Sequence, residues 1–464
     1  MSTIEIFHDS LQILDPVEID NSIESYQYCD YTPQSQHNLD VYSKVIQIDI
    51  NASDAYINPS ESYLIIKGEL VRADNNTPYN ADREVALVNN AMMYLFSEIK
   101  YTIGSKIMEQ ISNPGQISTM LAYLTQPDDY NSNAGLKSCW SKDTTNNANS
   151  NKFIQSPAHA AGAIAAGALT PVENPEYNQG FAARRGFLMS ANPRGSFTFA
   201  IPFDHMFGFA GYNKVIYNVK HSLTLTRSGS DNLAVHRVNG VNDGKIKLTN
   251  ITWRVPHVEP EIVAKQKLRD VIVSKQSIPV AFLARNDEST AVPQARQFSG
   301  RLSVSGRLSS GNEKPRWIIV GFQTGRNTSQ EQNPAVFDNL NVTEAYVTLN
   351  GQKYPLHNTV NNFPSNDYSE LYEKLDNYKK KKFGFNSLIG GTQVSFPAFK
   401  SLFPFFVFDV TNQNEQLKSG VIDMQLKFFF GDNVPANTIA YAVIESDRMY
   451  KLASDGKNLT MLSY

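Results

Sequence analysis

The chain has 464 residues, 41% of them apolar and 11% aromatic, so it can bury large cores, and the usual size of roughly 150 residues per domain allows two or three units. Charged residues reach only 19%, below the usual ~25%, and the formal net charge is -3, which argues against a protein whose main task is gripping nucleic acid through its phosphates. Two cysteines, Cys29 and Cys139, give no disulfide framework and no CxxC metal knuckle, and both read as free thiols.

Residues 1–40 read as a polar N-terminal arm, with the Ser2–Gln36 stretch either tying neighbouring molecules together or disordered. The arm has no basic region followed by an apolar one, and no apolar run approaches the ~18 residues of a membrane span, so a soluble protein made in the cytosol is expected. Period-two alternation then predicts half-buried strands at Val45–Ile50, Tyr63–Leu70, Phe197–Ile201 and Lys245–Leu248. Later strands are predicted at Trp317–Phe322, Tyr346–Leu349, Phe405–Phe408 and Ile439–Ile444. Helical patterning is confined to Ile117–Leu124, Glu261–Asp270 and Tyr368–Lys382, and these helices are expected to decorate loops rather than build the core. Two insertions, Gln126–Asn178 and Arg326–Gln332, read as surface loops, and the Ala/Gly-rich run His159–Leu169 as either a mobile crown or an ordered turret.

One unit occurs twice. Ala91-Met92-Met93 leads into Glu98–Lys106, and Ala335-Val336-Phe337 leads into Glu344–Lys353; each is a strand running into a tight turn, at Gly104 and at Asn350-Gly351. A second pair follows in the same order, Lys214–Leu225 against Gly420–Phe429, each after a Pro-containing aromatic strand, Phe199–Phe203 and Phe403–Val407. Two matched pairs in one order predict a duplicated β domain. Short strands, Gly/Pro turns and long connections give the expected fold class: all-β, two tandem eight-stranded jelly rolls with short helices in loops. The first spans residues 41–260 and the second 270–464, with a hinge near 258–275.

The eight histidines form no HExxH and no Cys/His cluster, His205 and His221 read as structural, and neither GxSxG nor GxxxxGK[ST] occurs. No catalytic residue, cofactor or metal site is expected. Asp128-Asp129 lies in loop sequence and makes no identifiable glycosidase dyad. Arg184-Arg185 reads as pairing with a loop acid, and the aromatic clusters at Phe403–Phe408 and Phe428–Phe430 as sandwich core. The run Lys379, Lys380, Lys381, Lys382 is either a weak contact for DNA or a solvated helix face.

The stretch Asn89–Ile107, through its Asn-Asn opening, Leu95-Phe96-Ser97 and its turn, resembles the double-jelly-roll major capsid proteins of small eukaryotic DNA viruses. The helix Gln116–Leu124 and the closing strand Asn433–Ile444 resemble the same family. Pro315–Thr324 and Ile201–Phe209 resemble its Polinton (Maverick) and adintovirus-like members, with virophage capsids and adenovirus hexon more distant. The similarity reaches from about residue 40 to the end, although the chain is short for the class. The resemblance implies a non-enzymatic major capsid protein whose homotrimers form pseudo-hexameric capsomers of an icosahedral shell. It also implies neighbouring capsomers and penton or minor capsid proteins as partners, a place in the virion, and at most weak, non-specific contact with packaged DNA. Two other readings share the architecture: a glycan-active double-jelly-roll hydrolase, and a lectin-like binding protein.

Overall fold

The computed structural model describes residues 21–35, 37–52, 55–155, 171–302, 313–357, 360–384, 392–412, 422–456 and 458–463. In the first half, β1 (Ile23–Tyr31), β2 (Val45–Ile50), β3 (Tyr63–Arg72), β4 (Phe96–Ile103), β5 (Lys106–Ile111), β6 (Ser196–Pro202), β7 (His221–Arg227) and β8 (Gly244–Pro260) form two antiparallel sheets. Their orders are β1-β8-β3-β6, extended beside β8 by the short strands Tyr56–Ile57 and Ile216–Tyr217, and β2-β7-β4-β5. Strict alternation along β7, whose every second side chain is buried, turns one face of its sheet inward. There Tyr101 of β4 meets Trp253 of β8 edge to face, at 6.1 Å between ring centroids, and closes the sandwich.

The second half repeats this construction. Its strands are β9 (Ile278–Ala291), β10 (Gln297–Leu302), β11 (Lys314–Thr324), β12 (Val342–Leu349), β13 (Gln352–Tyr354), β14 (Phe406–Asp409), β15 (Met424–Phe430) and β16 (Thr438–Ser454). They are ordered β9-β16-β11-β14 and β10-β15-β12-β13, with β17 (Leu459–Ser463) added beside β16. Adding eight to each label converts the first pair of orders into the second, so the chain is a double jelly roll. The paired sequence units occupy equivalent places: the hairpins β4–β5 and β12–β13, the strands β7 and β15, and the strands β6 and β14. Both hairpin turns use the left-handed backbone expected of them, with φ of 59° at Gly104, and 47° and 83° at Asn350 and Gly351.

Four expectations need correction. The polar arm predicted for residues 1–40 contains β1, which pairs with the far end of β8 from Pro260 to Trp253. Main-chain hydrogen bonds hold β1 in place while its side chains stay exposed or half-buried, so no apolar alternation announced it. Residues 1–20 and Gln36 lie outside the described residues. Nor does every helix decorate a loop: in α1 (Pro114–Thr125) all residues but the last are buried. Met120 of α1 packs near Gly321 of β11, and the Tyr123 ring lies 4.1 Å from that of Phe403, so this helix fills the space between the sandwiches. Three of its buried hydroxyls are met by the Asn-Asn pair: Asn90 Nδ2 donates to Ser118 Oγ at 2.7 Å and to Thr119 Oγ1 at 3.1 Å, and Asn89 Nδ2 donates to Tyr123 OH at 3.2 Å.

The described part of the Gln126–Asn178 insertion is not all surface, because Trp140 and Asp143 are buried in it. Arg184 of α2 (Gln179–Met189) reaches Asp143 Oδ1 at 2.6 Å, and Asn333 Nδ2 donates to the other carboxylate oxygen at 3.0 Å. The run His159–Leu169 lies outside the described residues. In the Arg326–Gln332 connection, Gln330 is buried and mimics a pairing strand: its Nε2 donates to Gly244 O at 2.8 Å and its Oε1 accepts from Gly244 N at 2.7 Å. A polar loop is drawn inward because those main-chain groups of β8 need partners.

Candidate functional site: the charged seam between the sandwiches

Strand β5 of the first sandwich faces β9 and β16 of the second, and charged residues of these strands meet there, together with Glu313 just before β11. Arg448 of β16 is buried; its Nε donates to Glu313 Oε1 at 2.7 Å, its Nη2 to Asn286 Oδ1 at 2.6 Å, and its Nη1 to the main-chain oxygen of Met108 on β5. Tyr450 OH donates to Ile107 O at 2.8 Å beside it. Glu109 of β5 is also buried, and its carboxylate accepts from Arg285 N of β9 at 2.7 Å, Phe209 N at 2.7 Å and Gly208 N at 3.1 Å. Burial pushes this carboxyl above the ordinary carboxylate range, while the Arg285 charge and the N–H donors oppose the rise. Only glycine fits at 208, since a Cβ there would lie 2.0 Å from the carbonyl oxygen of Leu283.

Helix α4 (Ser369–Phe383) carries the four lysines, and each of them has a partner within the chain. Lys379 is buried and donates to Gln126 O at 3.3 Å, Lys380 pairs with Asp376 one turn back, and Lys381 reaches Asp409 at 2.8 Å. Lys382 donates to Glu445 Oε1 at 2.6 Å and to Tyr378 OH at 2.8 Å, and Tyr378 OH in turn donates to Glu445 Oε2 at 2.7 Å. Burial pulls the Lys382 ammonium below its usual range, and Glu445 works against that. The run therefore clamps α4 to β14 and β16. Of the four, Lys381 keeps the most exposed side chain, at 59%.

The other residues singled out in the sequence do not converge on one site. His221 is buried with Nδ1 2.8 Å from Tyr101 OH, and burial, with the charge of nearby His257, pulls its imidazole down to about 3. His205 lies at the seam, lining one cavity with Arg285, Lys382 and Glu445, its Nε2 3.0 Å from Gln126 Nε2. Cys29 and Cys139 are free thiols. Among the described residues no group of three His, Cys, Asp or Glu side chains could hold a metal, and no helix is long and apolar enough to cross a membrane. The seam residues Arg448, Glu313, Glu109 and Arg285 were missed in the sequence. They stand among other charged and polar residues, as in Arg285–Glu288 and Glu445–Arg448, and nothing local marks them as buried.

Exposed large apolar side chains include those of two local groups. The helix α3 (Ile262–Val273), which joins the sandwiches, exposes Ile262, Val263 and Val273, and the hairpin Phe153–Gln155/Pro171–Glu173 exposes Phe153, Ile154 and Val172.

Among solved structures, the chain is similar to one from the Sputnik virophage, with TM-score 0.57 and 12% identity, covering 100% of this chain and 93% of that one. It is similar also to VP54 of PBCV-1, fitted into a reconstruction of Sputnik, with TM-score 0.54 and 10% identity over 97% and 98% of the two chains. The Faustovirus major capsid protein follows, with TM-score 0.52 and 9% identity over 94% and 92%. No curated protein matches the chain in sequence. The model of the double jelly roll-like domain matches residues 177–450, more than half of the chain, and the chain accordingly belongs to the double jelly roll-like domain family.

Proposed function

We propose that this chain is the major capsid protein of an icosahedral DNA virus. The observation that carries the reading is the pair of sandwiches with one strand order, locked together by the seam: a unit with two nearly equal faces makes a six-fold tile from three copies. Family membership and the full-length likeness to the Faustovirus major capsid protein support it. Three copies close through one repeated heterologous interface, and an obligate contact of this kind commonly buries more than ~2,000 Å² of largely apolar surface. The exposed apolar side chains of α3 and of the hairpin at Phe153 are suited to such contacts.

On this reading the protein works without catalysis, in the virion, after synthesis in the host cytoplasm. Its partners are its own copies, neighbouring capsomers, and penton or minor capsid proteins. Contact with packaged DNA through Lys379–Lys382 draws no support from the geometry, because each ammonium is already engaged, and any such contact falls chiefly to Lys381. Negative-stain microscopy and light scattering of the purified chain test the proposal. Hexagonal trimers or closed shells are expected; a stable monomer that cleaves glycans would refute it.

A further inference from the structure

A cavity of about 390 Å³ opens on the seam where α1, α4, β9 and β16 come together. Its walls are mixed: Leu121, Phe207 and Leu283 form an apolar part, Ser118, Thr125, Gln126 and His205 a polar one, and Arg285 and Lys382 bring positive charge to it, Asp204 and Glu445 negative. The two buried carboxylates nearby are already satisfied. Glu445 is held by Lys382 and Tyr378, and Glu109 by three main-chain N–H groups. Arg285 differs from the other seam cations: its Nε is buried and has no hydrogen-bond partner among the described residues. A buried guanidinium donor left unmatched costs free energy that a bound acceptor recovers.

We propose that this cavity binds a small monocarboxylate with an aliphatic tail, its carboxylate on the Arg285 fork and its tail against Leu121, Phe207 and Leu283. A planar guanidinium matches a carboxylate through two parallel hydrogen bonds, and the apolar part of the wall rewards a tail that a mineral anion lacks. Lys382 is paired with Glu445 and is not a second anchor. Asp204, exposed and also lining the cavity, disfavours a ligand of higher negative charge such as a phosphate dianion.

The test is isothermal titration calorimetry on the full chain with hexanoate, hexan-1-ol and inorganic phosphate. Hexanoate is expected to bind once per chain, with hexan-1-ol and phosphate weaker by about tenfold or more, the scale of one charge-assisted pair. Arg285→Leu is expected to weaken hexanoate by a similar factor. Gly211→Leu tests the same site from another wall and leaves the guanidinium in place; a Cβ at 211 meets nothing within 4 Å, so this variant is expected to fold. Equal binding of hexanoate and hexan-1-ol, tighter binding of phosphate, no binding of hexanoate, or unchanged affinity in a folded Gly211→Leu would each overturn the proposal.

Discussion

Replacing Arg448 by methionine keeps most of the side-chain volume but removes the charge that spans the seam. Glu313, whose side chain is 3% exposed, then retains among the described residues only Asn286 Nδ2 at 3.2 Å and Ser446 Oγ at 2.9 Å as donors, and Met108 O on β5 loses its bond to Arg448. Removing one partner of a buried ion pair typically costs about 3–5 kcal/mol, because the remaining charge stays in a medium that solvates it poorly. With an unfolding entropy of roughly 2.1 cal/mol/K per residue, a chain of 464 residues has about 1 kcal/mol/K, so the expected loss in Tm is about 3–5 °C. Equilibrium unfolding in guanidinium at one fixed protein concentration measures the free energy directly. The companion Arg448→Met/Glu313→Gln, which removes the stranded charge and keeps an acceptor, is expected to recover at least half of the loss. If the single variant loses less than about 1 kcal/mol, the pair behaves as a hydrated surface bridge and the account of the seam fails.

Three further outcomes follow from the same geometry. Gly208→Ala places a methyl group 2.0 Å from Leu283 O, so about 1–3 kcal/mol should be lost in the same unfolding assay, and normal stability would show that the two sandwiches are not in register there. His221 is held neutral in the fold at about 3, against roughly 6.5 unfolded, so its contribution is fully present above pH 6.5 and is lost as pH falls toward 3. His221→Gln should therefore flatten the acid side of the stability profile by up to about 1.4 kcal/mol per pH unit in that window, and parallel profiles would refute the assignment. Lys382→Met should destabilise by about 3–5 kcal/mol through Glu445, whereas Lys381→Ala should change stability by no more than about 1 kcal/mol. Small effects at both positions, together with weaker DNA retention on a filter, would return the lysine run to nucleic-acid contact.

Much of the scaffold could be read from local pattern. The alternation of Val45–Ile50 or Tyr63–Leu70, and the turn residues Gly104 and Asn350-Gly351, encode strands and hairpins within a few neighbours, and a duplicated pattern betrays a duplicated fold. β1 escaped because an edge strand held by main-chain bonds needs no apolar side chains. The lysine run misled for a related reason: a string of like charges reads as a solvated face, while two of its partners, Asp409 and Glu445, lie on strands far along the chain.

The seam lay beyond any local reading. Arg448 and Met108 are 340 residues apart, and nothing near either one announces the other. Composition, periodicity and turn chemistry by themselves determined two β sandwiches in tandem, since these depend on contacts between near neighbours and on which face of a strand meets water. How the sandwiches lock, which buried charges are matched, and which guanidinium is left facing a cavity were decided only by tertiary structure, because desolvated charges take their meaning from whatever the fold brings within hydrogen-bond reach.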